Sequence, residues 1–393
     1  MEFTVSQSKL KDELGFVQGI VERKNTIPVL SNIVIESVGE NTIRFTGTDL
    51  DVTIRCEMEA DIKLGGAICI QARKLFDIVR LLSDAPVKFK KDENEWVKIE
   101  CAKSNFRVAG VSRDSFPEVP TFKTTPMRIT AEIIRSFIRH TAFAITQEQS
   151  RFTLSGAKFI VDKDGAKMVT TDGHRLAYIG KTDLGANAPQ EPVDVLIPKK
   201  TLSELTKLAE NHEGDIQFGE DSNHIYFEVG SRLLISRKLT GQFPNYEMVI
   251  PKNNDKVANF DAVEFNNALK RVALMADERT RAVRLEFKKG TITMGASAAE
   301  EGESSEEVTT DYDGEDANHI YFEVGSRLLI SRKLTGQFPN YEMVIPKNND
   351  KTANFDAVEF NNALKRVALM ADERTRAVRL EFKKGTITMG ASA

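Results

Sequence analysis

Asp172 and His174, two apart in "TTDGHRLA", are the nearest the chain comes to an acid–base pair, a carboxylate and an imidazole within reach of one proton. Asp-Gly between two alternating runs is first a hairpin turn, however, and that reading outweighs catalysis. The five histidines, His140, His174, His212, His224 and His319, show no metal-ligand spacing. No phosphate-cradling glycine loop or nucleophile elbow is present, and the serine of "AGVSRDSF" lacks such a setting. Neither an enzyme nor a bound metal or cofactor is expected. The other chemistry on offer is charge. The polar sides of successive helical stretches carry Lys9 and Lys11, Arg73, Lys74 and Arg80, Arg135 and Arg139, Lys199, Lys200 and Lys207, and Lys270 with Arg271. A solvated face accounts for any one such helix. Their repetition favours a shared role, a cationic wall facing phosphates without reading sequence.

The elements that hold these residues repeat. "FTVSQSKLKDELGFVQGIV", "MRITAEIIRSFIRHTAFAI" and "ANFDAVEFNNALKRVALMA" each place an apolar strand end five residues before a helical stripe. The stripes are Leu10, Leu14, Val17, Val21; Ile134, Ile138, Thr141, Ile145; and Phe265, Leu269, Val272, Ala276, each on one helix face. The strand ends Val5, Ile129 and Phe260 lie 124 and 131 residues apart, so the chain reads as three copies of one domain, 1–125, 126–252 and 253–393. A second helix recurs in "ICIQARKLFDIVRLLSD" and "VLIPKKTLSELTKLAEN", and the alternating runs between them are punctuated by Gly, Asp and Asn. The fold class is α+β, with helices on one face of antiparallel sheets in each domain.

The third domain departs from this pattern. After "TITMGASA" come nine carboxylates and no Lys or Arg between 300 and 316, where a second helix should follow. Residues 223–298 then recur as 318–393, with Val257 against Thr352 the one difference. A formal charge of -4 with both signs mixed decides little about partners. Cys56, Cys69 and Cys101 lie in apolar strand-like runs as reduced, buried thiols, and no segment is apolar over the roughly 18 residues of a membrane span, so a cytoplasmic location is expected.

Over residues 1 to about 317 the chain resembles the bacterial DNA polymerase III beta subunit, the sliding clamp. The carriers are "FTV" at the start, "TIPVLSNI", "FTGTDLDV", "ARKLFDIVR", "VTTDGHRLA" and "GQFPNYEMVIPKN", in that order. The resemblance implies a clamp fold, part of a head-to-tail dimeric ring with helices around duplex DNA and sheets outside. It implies a processivity factor that tethers DNA polymerase III, is loaded by a clamp loader and catalyses nothing itself. Lys24, Arg73, Gln149 and Phe152 then face DNA beside the helix cations Arg135, Arg139, Lys199 and Lys200. Thr171, Gly173, His174, Arg175, Leu176, Pro244 and Val249 form a pocket for a short, largely hydrophobic partner peptide. Phe106 and Val108 meet Leu274 and Met275 of the other subunit, flanked by Lys74, Glu300, Glu301 and Glu303. The family's Met-Pro-Met-type terminal peptide and the last half of domain three are missing. Hairpin segments 319–345 are expected where the lost strands would lie, and 353 onward has no family slot and forms a loosely packed appendage. The alternative is an interaction scaffold derived from a clamp, with impaired ring closure and DNA retention.

Overall fold

The computed structural model describes residues 1–21, 27–121, 126–148, 150–182, 184, 192–250, 257–278, 281–298, 302–313, 319–324 and 327–332, and beyond 333 Asp356, Phe360, Ala363, Val367, 379–383 and 386–390. Residues 1–333 form one unit and 334–393 another.

In the first unit the helical stripes become helices α1 (Gln7–Ile20), α2 (Ala72–Val79), α3 (Ala131–Thr141), α4 (Lys199–Ala209) and α5 (Ala262–Val272). Leu10, Leu14 and Val17 of α1 are wholly buried, as are Ile134 of α3, Leu202 and Leu205 of α4 and Val272 of α5 to within 1%. Asp261 caps α5 by accepting from the amides of Val263 and Glu264, which satisfies two of the donors that a helix start leaves open. Helix α2 packs on α1, α1 on α4 and α4 on α3, so the helices of the first two domains stand in one row.

Behind that row runs one sheet of 13 strands. It crosses from the second domain to the first where Arg232–Arg237 pairs antiparallel with Val52–Glu59, Arg232 against Cys56 and Ser236 against Val52. Strand Thr42–Thr48 lies directly under α1: a β-carbon on Gly47 would come within 2.7 Å of Val17, so only glycine permits that approach.

A second sheet of six strands holds the rest of domain two and then receives the copied hairpin, His319–Val324 and Arg327–Arg332. Arg327 pairs with Ile179 and Ser331 with Arg175. This is the register of the parent hairpin moved along the chain. Arg327 copies Arg232, and Ile179 stands in domain two where Cys56 stands in domain one. The expected pairing of the 319–345 segment thus holds for 319–332; residues 333–345 lie outside the described residues. The third domain keeps α5 and a three-stranded sheet of Arg284–Lys288, Thr291–Ala298 and Gly302–Thr309. Its last strand falls in the acidic stretch, which the sequence did not mark as a strand, because Val308 is its one apolar residue and Glu306 is held by Arg271.

In the second unit Arg379–Lys383 and Thr386–Gly390 pair as their parents do, Arg379 against Gly390 as Arg284 against Gly295. The Phe360 amide bonds the Asp356 carbonyl at 3.0 Å, as Phe265 bonds Asp261. Local structure is therefore copied along with sequence. The burial is not: Ile292 and Met294 are wholly buried, while their copies Ile387 and Met389 are half-buried and Leu380 is exposed.

Candidate functional site

The Asp172–Gly173 stretch is the turn that its sequence implies. Gly173 takes φ +87, and one carboxylate oxygen of Asp172 accepts from the amides of His174 at 3.0 Å and Arg175 at 2.9 Å. Thr171 donates its hydroxyl to the Arg175 carbonyl at 2.7 Å and accepts from the Gly173 amide at 3.1 Å. Burial pushes the Asp172 carboxyl up, but the bonds from the Arg175 and His174 amides and from the Arg175 guanidinium outweigh it and hold it below the usual carboxylate range. Asp172 is thus a fixed anion bracing a turn, and His174 projects beside it, exposed.

Arg175 is held in turn. Its Nε donates to Asp172 at 3.1 Å, its Nη2 to the Phe143 carbonyl at 2.8 Å, and its guanidinium lies 5.7 Å from the Phe143 ring. Arg151 donates to the Asp172 carbonyl from the other side. Beneath the turn Leu176 joins Leu154, Val169, Leu196, Phe243 and Tyr246 in an apolar cluster separate from the main core. Pro244 and Val249 stand exposed on the segment that carries Phe243 and Tyr246, and Met248 there is 83% exposed. The two stretches named from sequence thus share one apolar floor with a rigid cationic rim. Phe143, Arg151 and Met248 were missed, since their roles come from tertiary neighbours that no local motif announces.

The helix cations divide. Arg139 and Lys199 are exposed and in no ion pair among the described residues, while Arg73 and Arg80 flank Asp77 on α2. Two of the cations expected to face phosphates are held by neighbouring groups. Arg135 donates to the carbonyls of Ala209 and His212, closing the open end of α4. Lys200 reaches across the domain boundary to Asp49 and to the Ile20 carbonyl at 3.5 Å. Phe152 is 71% exposed. Lys24 and Gln149 lie outside the described residues, as do Glu300 and Glu301.

Among the sheet edges that the described residues leave open, two carry the apolar residues named for the subunit contact or lie beside them. Strand Ser104–Val111 pairs along one side with Trp96–Cys101, but on its other side only Gly110 and Val111 are paired. Strand Gly302–Thr309 pairs only with Thr291–Ala298. Phe106 on the first edge is 39% exposed with Val108 half-buried beside it. Leu274, in the turn Ala273–Met275 just after α5, is 77% exposed, next to half-buried Met275. Lys74 and Glu303 are exposed.

A row of helices backed by a sheet that runs unbroken from one domain into the next defines a DNA-clamp architecture. The chain belongs to the DNA polymerase III beta subunit family: the family's N-terminal domain matches residues 1–120, its central domain 128–245 and its C-terminal domain 247–324 and 342–393. The last match corrects the expectation that 353 onward has no family slot; as a copy of the start of domain three, it carries that domain's pattern. The beta sliding clamp of Caulobacter vibrioides is 36% identical over 338 residues, covering 83% of this chain and 87% of that protein, and the beta sliding clamp of Pseudomonas putida is 33% identical over 324 residues, covering 80% and 85%. Among solved structures, the Pseudomonas aeruginosa DnaN sliding clamp bound to griselimycin superposes with a TM-score of 0.77 at 26% identity, covering 85% of this chain and 99% of that one. A C. crescentus beta sliding clamp superposes with a TM-score of 0.74 at 34% identity, covering 80% and 85%.

Proposed function

We propose that two copies of this chain close a ring around duplex DNA and act as a sliding clamp, a non-catalytic processivity factor that tethers DNA polymerase III and other partner peptides in the cytoplasm after a clamp loader has opened it. Its domains are 1–125, 126–252 and 253–393. The observation that carries this reading is a repeated junction. Twice within the chain a hairpin's second strand docks on the next domain in one register, Arg232 against Cys56 and Arg327 against Ile179. The third donor and acceptor of this kind are the open edges of Ser104–Val111 and Gly302–Thr309. Hairpin Trp96–Val111 turns between Cys101 and Ser104 as the parent turns between Val229 and Arg232, and Glu306 lies opposite Met294 as Cys56 lies opposite Phe45.

Carried to these edges, the register sets Ser104 against Glu306, Phe106 against Ser304, Arg107 against Glu303 and Val108 against Gly302 of a second copy. It matches inward residue with inward residue and puts opposite charges at Arg107 and Glu303. Leu274, in the turn Ala273–Met275 that follows α5, holds the place of Gly19 in α1, which is where α1 meets α4. It thus faces the partner's α2 beside Phe106. Arg73, Arg139 and Lys199 supply a mild phosphate attraction that permits sliding. The turn at 171–176 with Pro244 and Val249 receives the peptide.

The test is retention. Loaded on nicked circular duplex, the protein should stay with the DNA through gel filtration and be lost once the circle is cut. Equal loss from intact and cut circles rejects encirclement.

A further inference from the structure

The chain holds two identical hairpins in two different settings, and the difference between the settings defines a groove. In the parent, Phe227, Leu234 and Ser236 point to the helix side and are wholly buried. Helix α4 lies along both strands there, and the Thr201 and Ser236 hydroxyls meet at 2.6 Å. The copies of those three residues, Phe322, Leu329 and Ser331, are each only half-buried. The copy begins after α4, so the hairpin travelled without its helix. Strand 175–182 pairs with it edge to edge in the parental register, and Phe322 meets the Phe265 ring of α5 at 6.0 Å. Phe322 packs against the third domain's core of Phe265, Ala268 and Val272, but among the described residues of 1–333 no helix runs along both strands as α4 runs along the parent.

We propose that the inner face of hairpin 319–332 is a docking groove for an amphipathic helix supplied in trans, with the apolar pattern of α4: a threonine, then leucines one, four and seven residues on. The occupant's chemistry is fixed by the molecule itself, because the same fourteen residues are covered in their first setting by Thr201, Leu202, Leu205 and Leu208. The threonine hydroxyl meets Ser331 and the leucines cover Phe322 and Leu329. The groove is separate from the partner-peptide pocket, whose floor is Leu176, Phe243 and Tyr246.

The experiment uses the full chain and a fluorescein-labelled peptide of residues 197–211, followed by anisotropy. Saturable binding of one peptide per chain is expected, and Leu205→Asp in the peptide should abolish it. In the protein, Leu329→Glu removes apolar surface, while Ser331→Arg fills the groove without disturbing the hairpin's packing; each should weaken binding about tenfold or more, the equivalent of ~1.4 kcal/mol. Val249→Asp, in the other pocket, should leave it unchanged. No saturable binding, binding indifferent to Ser331→Arg, or binding lost in Val249→Asp overturns the proposal.

Discussion

Arg232 of the second domain closes on Glu13 of the first with two hydrogen bonds, Nε to Oε2 at 2.9 Å and Nη2 to Oε1 at 2.6 Å, and its guanidinium lies 4.3 Å from the Phe16 ring. The pair sits at the first domain junction with little water, the Glu13 side chain being 10% exposed. Cutting Arg232 to alanine strands that carboxylate, so Arg232→Ala should cost about 3 kcal/mol. Replacing both partners at once, Glu13→Gln with Arg232→Met, should cost clearly less than the two single changes summed. Urea unfolding of the wild type, Arg232→Ala, the two single variants of the cycle and their double variant checks it; additive costs would mean that the contact is incidental.

The register proposed for ring closure makes a covalent prediction. Asn105 and Ser305 are both exposed and fall opposite each other in it. Asn105→Cys with Ser305→Cys should therefore yield a covalent dimer on mild oxidation, seen on a non-reducing gel. Asn105→Cys with Ser304→Cys should not, because a one-residue slip turns the second side chain to the other face. Equal cross-linking in both pairs would place the edges in another register or in none.

How much of this was legible in the sequence differs by element. The stripe Leu10, Leu14, Val17 announced α1 because one buried face writes itself at helical spacing. The turn at Asp172–Gly173 was legible because Asp-Gly has few other uses. Lys200 and Arg135 were not: on a helix wheel each resembles any solvent cation, and only the fold brings Asp49 or the end of α4 to them. Strand Gly302–Thr309 was hidden because an edge strand with one apolar side chain has no period to read.

Acid should loosen the second domain in a defined window. Burial pushes the Asp221 carboxyl up, but the Tyr226 hydroxyl and the amides of Asn223 and His224 bond it and bring it down, from 3.8 to about 2. The same bond raises the Tyr226 phenol, with burial the larger cause. A carboxyl depressed on folding adds stability that is complete above its unfolded value and fades as pH falls through the folded one. Stability against urea should thus decline between pH 3.8 and about 2 more steeply in the wild type than in Asp221→Asn. Parallel curves would assign the acid sensitivity elsewhere.

In the proposed partner pocket Asp172 acts through the turn that it braces, not by touching a peptide. Asp172 closes the turn through two amides and orients Arg175, and none of these bonds reaches the apolar floor of Leu176, Phe243 and Tyr246. Asp172→Ala should accordingly leave the fold standing, at a stability cost near ~1 kcal/mol for the lost bonds. It should also release Arg175 and weaken a short hydrophobic clamp-binding peptide severalfold. Val249→Asp removes exposed apolar surface and should weaken the same peptide by at least tenfold, about 1.4 kcal/mol, through an unpaired carboxylate set against the ligand's apolar side chains. Fluorescence titration of one peptide against both variants separates the roles. If Asp172→Ala binds as tightly as the parent while Val249→Asp does not, the turn is a bystander and the apolar floor alone makes the site.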